Sequence, residues 1–466
     1  MCDCPSINLV HHRLIASKLT LLSRMNWIIF SLLAGLVFCG PTFGQHTSSG
    51  LVLRSARHSP ATQQKDAPAQ PPVEPDVSEG LTLENVRALA LANHPSIERA
   101  WSMYQAAQGN AWQVGLPPNP EAGYLGQQLG SGGQAEQHGL LLQKEFVRGG
   151  KLELNRAVAE QDVIRASYEF SAQQQRVTTS VSVAYYEGLI AQRRSELARQ
   201  LVEIARQGVN TVEQLRKAGE SSRSDLLQAT LELESAELVV NSASVRHESA
   251  LRNLTAAIGI SELPSSILLG DIEVNSAGLD WTESLERLLA ESPEIAIAFA
   301  NIEKAQREVC RAQVETVPNV TIQGVVMQDN AIGGRTDGIL QITMPIPVLN
   351  NNSGAIRKAQ AEHFAALKGM EQTKVELRAR LSQTYERYTN ATQQVDRYRN
   401  RIIPTSKESL ELVRQGFEQG EFPYLNLLNA QRTFFQTNLQ YLDSLRELQI
   451  ASAEIEGLLL TASQPK

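Results

Sequence analysis

Side chains that could do chemistry are dispersed along this sequence rather than grouped. Beyond residue 44 the chain has a single cysteine, Cys310, in a stretch with helical periodicity, and no two histidines stand at metal-ligand spacing. These histidines are His46, His58, His94, His138, His247 and His363. We therefore expect no metal site and no cofactor, and we interpret Cys310 as a buried helical thiol.

Ser222 and Asp225 are the pair most easily mistaken for catalytic partners. A serine just before a helical stretch, with an acid three positions later, is also the pattern of a capping box, in which both side chains bind free backbone N–H groups. The sequence has no phosphate-binding loop, nucleophile elbow or His-Glu-x-x-His helix. We interpret the pair as a helix cap and expect that the protein is not an enzyme.

The element that must position any functional residue is a very long helix. From Lys151 to Lys217 there is no proline and apolar residues recur at helical spacing, which at about 1.5 Å per residue predicts a rod of roughly 100 Å. Its second half has two adjacent heptad seams, one starting at Leu197 and one at Ala198. Two seams indicate packing on both flanks, as in a helical sheet or tube, whereas a two-stranded coiled coil needs only one.

Charge and the N-terminal stretch limit the partners and the compartment. The net charge of −7 and the lack of a basic stripe argue against nucleic acid as a partner.

Basic residues precede an apolar run from Trp27 to Phe38, and small residues end the segment at Gly44, which predicts a signal peptide over 1–44. The following stretch, 45–80, is rich in Ser, Gln and Pro and is predicted to be a disordered tether.

Structural punctuation recurs at a nearly constant interval of roughly 200 residues, which is the signature of an internal repeat. The matching pairs are Pro95 and Pro293, Pro120 and Pro318, Tyr185 and Tyr385, and Gly219 and Gly420. This interval predicts a tandem duplication, with a first repeat over 81–260, a linker over 261–280, a second repeat over 281–460 and a tail over 461–466.

Each repeat is predicted to run helix, β-hairpin, long helix, glycine turn, helix. The short helical pieces 95–116 and 222–258 would stack end to end beside 151–217. The pieces 293–317 and 423–460 would do the same beside 353–420, which we expect to bend at Pro404. The fold class is therefore mainly α with a small β part.

The hairpins alternate between apolar and polar residues, as membrane-spanning strands around a wet lumen do, although a sandwich strand would look similar. In the second hairpin, predicted over 320–328 and 338–346, we assign Ile322, Val326, Leu340 and Ile342 to the lipid side. Four strands cannot close a barrel, and in lipid every backbone group needs a partner. Three copies would supply twelve strands and a tube of twelve helix columns.

With these features the chain resembles the TolC-like outer-membrane efflux proteins from about Leu81 to Leu460. The repeated order is joined by Asn119-Pro120-Glu121 before the first strand, by Gly149-Gly150-Lys151 after the second, and by the turns Gly219-x-x-Ser222-x-x-Asp225 and Gly420-x-x-Pro423-x-x-Asn426. The first two motifs are most similar to the branch that serves heavy-metal exporters of the cobalt–zinc–cadmium type.

The resemblance implies a homotrimer with a twelve-stranded β-barrel in outer-membrane lipid and an α-helical tunnel in the periplasm. Its helix tips would dock on a periplasmic adaptor (membrane fusion) protein that joins it to an inner-membrane pump. The tip residues expected to dock are Arg216, Gly219, Glu220, Ser221, Ser222, Glu418, Gly420, Glu421 and Phe422.

A constriction is expected one to two turns beyond the second glycine turn, at Asn426 and Asn429. Some family members carry acidic residues at these steps, whereas both are neutral amides here. The implied function is passive conduction of solutes, heavy-metal cations among them. A channel for type I protein secretion or drug efflux stays an alternative, and a periplasmic adaptor or coiled-coil scaffold fits the sequence less well.

Overall fold

The computed structural model describes residues 80–130, 135–273, 278–330 and 333–460. The predicted signal peptide, the tether up to residue 79 and the C-terminal tail lie outside the described residues. Within the described part of the chain, no helix is long and apolar enough to cross a membrane.

The first repeat contains two short helices, a hairpin, a long helix and a final helix. Their bounds are α1 Leu83–Asn93, α2 Pro95–Gln113, β1 Glu121–Leu129, β2 Ala135–Phe146, α3 Lys151–Ala218 and α4 Arg223–Ile258. Thr82, His94 and Ser222 cap α1, α2 and α4, because each side chain accepts a backbone N–H of the first turn. Helix α2 ends one turn earlier than predicted.

The second repeat follows the same order, as the sequence predicted. Its elements are α5 Trp281–Glu291, α6 Pro293–Val314, β3 Val320–Asp329, β4 Arg335–Thr343, α7 Ser353–Arg397, a π-helical segment Tyr398–Ile402, α8 Ile403–Glu418 and α9 Tyr424–Glu456. Helices α5 and α6 follow α1 and α2 at the same interval that separates Pro95 from Pro293.

The predicted bounds of β4 are wrong at both ends. The strand starts at Arg335, which pairs with Asp329, and stops at Thr343 rather than Ile346. Pro345 and Pro347 follow, and proline has no N–H to donate to a ladder, so regular pairing ends before them.

The long helix of the second repeat is interrupted before the predicted bend. Pro404 lies in the first turn of α8, and the distortion is the π-helical segment just upstream. Proline cannot donate to the carbonyl four residues back, here Asn400, and its ring presses on that carbonyl. A wider π turn relieves this clash.

Helices and strands lie in the same lateral order. The sheet is a four-stranded antiparallel meander, β1-β2-β3-β4, with β2 and β3 joining the two repeats. Beside it, α2 packs on α3, α3 on α6 and α6 on α7. Farther from the sheet, α4 continues the column of α2 beside α3, and α9 continues that of α6 between α3 and α7–α8.

End-to-end stacking, as predicted, is visible where α4 meets α2. Gly259 ends α4 with φ 85°, and a Cβ there would lie 3.0 Å from both His94 and Pro95 at the start of α2. The residue is therefore glycine for both its positive φ and the close approach.

The main core lies midway along the long helices, under the inter-repeat linker. Tyr185, Leu189 and Leu268 are almost completely buried there. Leu268 forms a parallel bridge with Leu81, and the Tyr185 hydroxyl donates to the Leu81 carbonyl at 3.2 Å. The second repeat repeats this contact, since the Tyr385 hydroxyl donates to the Leu279 carbonyl at 3.1 Å.

Candidate functional site: the paired helix turns and the outward sheet face

The first turn, between α3 and α4, is fixed by backbone and capping hydrogen bonds. Gly219 has φ 81°, and the Glu220 N–H donates to the Leu215 carbonyl at 2.8 Å, a reversal that glycine adopts without strain. Ser222 and Asp225 form the predicted capping box, with the Asp225 N–H donating to Ser222 Oγ at 3.1 Å. The hydrogen bonds from Ser222 lower the pKa of Asp225. The pair is therefore a structural cap.

The second turn, between α8 and α9, is built differently. Gly420 has φ 77°, and the N–H groups of Glu421 and Phe422 donate to the Gly416 carbonyl at 2.8 and 3.3 Å. The Phe422 ring lies over Gly416, where a Cβ would come within 2.6 Å of ring atom Cε2. Helix α9 starts at Tyr424, and Pro423 at the cap position before it provides no side-chain hydrogen bond.

Both turns lie at the same end of the helical layer, where a shared apolar cluster joins them. Val212 of α3, Ala229 of α4 and Tyr424, Leu427 and Leu428 of α9 form its buried centre. The Tyr424 ring packs edge-on against Phe417 at 5.9 Å. Burial in this cluster raises the pKa of Tyr424.

Most predicted docking residues are solvent-exposed at these turns. Ser221 is half-buried, and Phe422 is 40% exposed although its ring also covers Gly416. The other exposed members are Arg216, Gly219, Glu220, Ser222, Glu418, Gly420 and Glu421. Their role in docking stays a prediction.

Asn426 and Asn429 lie on the exposed side of α9, one turn apart. The buried residues Tyr424, Leu427 and Leu428 face the opposite way, into the cluster. Both amides therefore lie away from the packed face in a single copy. Whether they line a constriction depends on neighbouring copies, so that assignment also stays a prediction.

An ion pair crosses between the repeats next to the cluster. Arg432 of α9 donates from Nε to Glu232 Oε2 of α4 at 2.8 Å. The Glu232 side chain is only 12% exposed, whereas that of Arg432 is 54% exposed. The pair closes the layer from α4 to α9 over the end of α3.

The residues assigned to lipid, Ile322, Val326, Leu340 and Ile342, share one face of the sheet, which we call the outward face, and we call the opposite face the inward face. Ile322 pairs with Ile342 and Gly324 with Leu340, so these side chains project to the same side. Val326, Leu340 and Ile342 are 61%, 73% and 66% exposed, and Ile322 is half-buried. Tyr124, Leu140 and Leu142 extend the apolar face across β1 and β2. The opposite face is mixed, because it includes Gln137, whose amide donates to Asp329, and also the buried apolar residues Val325 and Met327.

Among the described residues, no group of three or more His, Cys, Asp or Glu side chains could hold a metal ion. Cys310 is half-buried in α6, less enclosed than predicted. His94 caps α2, and His247 has a buried Nε2 without a hydrogen-bond partner.

Several residues that shape the turns were missed by the sequence analysis. Gly208 and Gly416 leave room for the Tyr424 hydroxyl and the Phe422 ring, and Glu232 of the first repeat meets Arg432 of the second. A glycine inside a strongly helical pattern is a signal for close packing, so both glycines could have been found. The ion pair has no sequence signal, because its partners lie far apart in the chain.

The described residues form a duplicated, four-column helical layer that ends in a four-stranded sheet, and the face of this sheet that includes Leu340 carries exposed apolar side chains. The sequence profile of the family described as outer membrane efflux protein matches residues 86–260 and 284–459, one segment in each repeat. The chain belongs to the outer membrane efflux protein family. The match in two segments agrees with the duplication seen in the order of elements.

Individual relatives of this efflux protein support the same assignment. The cobalt-zinc-cadmium resistance protein CzcC of Cupriavidus metallidurans is 26% identical over 396 residues, which cover 83% of this chain and 92% of CzcC. A crystal structure of CusC matches with a TM-score of 0.69 at 18% identity, covering 81% of this chain and 91% of CusC. The open state of the Neisseria gonorrhoeae MtrE outer membrane channel matches with a TM-score of 0.65 at 19% identity, covering 81% and 89%. At these identities the two structures show the fold.

Proposed function

We propose that this efflux protein is the outer-membrane exit duct of a tripartite system that exports heavy-metal cations. The observation that carries this proposal is the match to CzcC, a cobalt-zinc-cadmium resistance protein, over 92% of its length. The entry and exit motifs around Asn119 and Gly150 point to the same branch.

Three copies would form the duct. The sheet has two free edges, β1 and β4, within the described chain, and the helical layer has two flanks, formed by α2 with α4 on one side and by α7 with α8 on the other. Exposed apolar residues mark one flank of α4 at heptad-like spacing, namely Leu227, Leu231, Leu238 and Val245. Burying such a seam against the α7–α8 flank of the next copy would complete a tube of twelve columns and a barrel of twelve strands.

The paired turns would then meet the periplasmic adaptor of an inner-membrane pump. A Cβ at Gly219 or Gly420 would touch nothing within 4 Å, so these turns present open surface. Replacing both with Val strains the positive φ without creating a clash in the core. We expect trimers to persist in the membrane while export stops, measured by metal accumulation; loss of the trimer would show that the glycines serve only the fold.

The metal specificity is tested in cells that lack this gene and carry it back on a plasmid. Deletion should raise intracellular Co²⁺, Zn²⁺ and Cd²⁺ during metal challenge, and the wild-type gene should restore the basal level. Unchanged metal content, together with a newly acquired drug sensitivity or a retained secreted protein, would contradict metal export and favour the alternative channel classes.

A further inference from the structure

The strand β4 and the residues that follow it form an apolar edge that nothing covers in the described chain. Every residue of β4 is exposed. Beyond it, Ile346, Val348 and Leu349 are 75%, 80% and 97% exposed. At the other end of the sheet, β1 is the second free edge.

The internal duplication shows what a covered version of this edge looks like. Strand β2, the counterpart of β4, is covered by β3 of the second repeat, with Leu142 opposite Gly324 and Lys144 opposite Ile322. Strand β3 is the counterpart of β1. The joint between the two repeats is therefore a template for a joint between β4 of one copy and β1 of the next.

Two structural landmarks define how each strand maps onto its counterpart. Helices α2 and α6 start at equivalent prolines, Pro95 and Pro293, and the step between them relates β1 to β3. Gly150 and Asn352 precede α3 and α7 and share the left-handed conformation, with φ 68° and 58°. The step between this second pair relates β2 to β4.

The first hairpin shows that the two steps preserve the register. Glu121 pairs with Gln143 in this hairpin. Moving Glu121 along the chain by the first step gives Asn319, and moving Gln143 by the second step gives Pro345. That position continues the observed register of β3 with β4 beyond its last pair at Thr343. The same two steps can therefore be applied to the joint between β2 and β3.

We propose that β4 and its extension pair antiparallel with β1 of the next copy, with Val348 opposite Ala122, Ile346 opposite Tyr124 and Met344 opposite Gly126. This inference rests on the proposed ring of three copies and adds the register of the joint. The register follows from the template pairs of β2 and β3: each β2 residue is moved forward by the second step onto β4, and each β3 residue is moved back by the first step onto β1.

The faces of the two strands agree with this register. Met344, Ile346 and Val348 continue the outward face of Leu340, and Tyr124 belongs to the same face through its pairing with β2. The proposed pairs thus join outward residues to outward residues. A slip by one residue would bring this apolar row against the inward face of β1.

The two prolines that follow β4 also agree with the proposed register. Pro345 and Pro347 are alternate residues, so both missing N–H groups would have pointed to the same side of the strand. We assign that side to β3, because pairing with β3 stops at Thr343. The N–H groups of residues 344, 346 and 348 then face the next copy. In a single copy the Val348 N–H bonds back to the Ile346 carbonyl at 2.9 Å, and this local bond would be exchanged for one between copies.

Disulfide cross-linking tests the register in the full chain with Cys310→Ser as background. The variant Ile346→Cys with Tyr124→Cys is oxidised in outer membranes with copper–phenanthroline and separated without reducing agent. Matched controls pair Ile346→Cys with Ala122→Cys or with Gly126→Cys, two residues off register on the same face. The single-cysteine variants report background.

We expect covalent dimers and trimers to dominate for the in-register pair, with at least about tenfold less in the off-register pairs, which are diagonal neighbours ~7–8 Å apart and so too far apart for an unstrained disulfide. Strongest cross-linking in an off-register pair, or none in any pair while native mass measurement shows trimers, would overturn the register. Monomers by native mass in the uncrosslinked protein would instead overturn the proposed ring itself.

Discussion

The two repeats share one plan but hold their helix ends by different chemistry. Helix α2 is capped by the imidazole of His94, whereas its counterpart α6 is capped by the hydroxyl of Ser292. The first turn relies on a capping box, and the second on Phe422 lying over Gly416. Duplication has thus preserved where elements start while the groups that fix each start have diverged.

The long helices differ in the same way. Helix α3 is regular over 68 residues, whereas its counterpart is divided by the π-helical segment before α8. Helix α9 starts at the second turn without a side-chain cap, whereas α4 starts at the first turn with the capping box of Ser222. The turn of the second repeat therefore depends on side-chain packing more than the turn of the first. Substitutions of packed residues should destabilise the second turn more than the first.

The largest expected difference between the repeats is the cost in stability of a charged residue on the outward face of the sheet. Leu340 of β4 corresponds to His138 of β2, a position that already tolerates a polar ring. If this face meets lipid, Leu340→Arg should cost about 2–4 kcal/mol near the midplane and reduce insertion, while Thr343→Arg on the inward face should be tolerated. His138→Arg should cost less than Leu340→Arg. Urea titration of the folded protein in lipid measures this, and equal costs at positions 340 and 343 would refute the face assignment.

The next largest expected effect on stability comes from Gly416, which the Phe422 ring covers at the second turn. Gly416→Ala would press on the Phe422 ring, and such overpacking costs about 1–3 kcal/mol. Gly369→Ala is the matched control, because it is also helical but has open space around its Cβ, and it should stabilise by about 0.5–1 kcal/mol. Protease cleavage near residue 420 should rise in the first variant only. Indistinguishable cleavage in the two variants would mean that Phe422 does not secure the turn.

The histidine cap of α2 should respond to pH, whereas the serine cap of α6 has no group that titrates near neutral pH. The N–H and the hydroxyl of Ser96 contact His94 Nδ1 at 3.2 and 2.7 Å, Gln173 donates to Ser96 Oγ at 2.7 Å, and Arg176 donates to Gln173 at 2.9 Å. A guanidinium can only donate, so the Gln173 amide oxygen accepts from Arg176 and the Gln173 amide N–H donates to Ser96. The N–H and the hydroxyl of Ser96 then both donate to His94 Nδ1, which must be unprotonated. Burial also lowers the pKa of His94 from its ordinary 6.5.

The sign of the pH effect follows from this lowered pKa. The unfolded chain binds the proton first as the pH falls below about 6.5, so the stability of the cap is present above that pH and is lost below it. The variant His94→Ser copies the cap of α6 and should remove this loss, which we expect to be about 0.5–2 kcal/mol, the usual contribution of a cap. Hydrogen exchange of α2 between pH 7 and 5 measures it, and the same pH dependence in both proteins would contradict the proposed cap chemistry.

The asparagines of α9 should affect selectivity and leave stability almost unchanged. In a trimer each position forms a ring of three, and three carboxylates close together attract cations and are blocked by multivalent ions. In planar bilayers the wild type should show weak block by trivalent cations, and Asn426→Asp with Asn429→Asp should give strong cation selectivity and block. Identical selectivity and block would place the constriction elsewhere.

The sequence predicted the order of elements well because the signals are long or repeated. Prolines, glycines and helical periodicity placed α2, α3 and both turns within a few residues. The ends of β4 were missed because its apolar alternation continues to Ile346, and pattern alone cannot show where the partner strand stops. The π-helical segment was missed because a proline predicts a break but not how far upstream the backbone adjusts.

The candidate site was less accessible to sequence reasoning. The capping box of Ser222 could be identified because both residues are local, whereas the Tyr424 cluster and the Glu232–Arg432 pair unite residues far apart in sequence. Faces that other copies would cover cannot be recognised from one chain except through the internal repeat, which here supplies a template.

The most direct test of the duct is to fractionate cells that express the full chain and to determine its mass in the outer membrane. We expect a heat-resistant trimer in the outer-membrane fraction that dissociates only under strong denaturation. A water-soluble particle recovered from the periplasm, monomeric or dimeric, would contradict it.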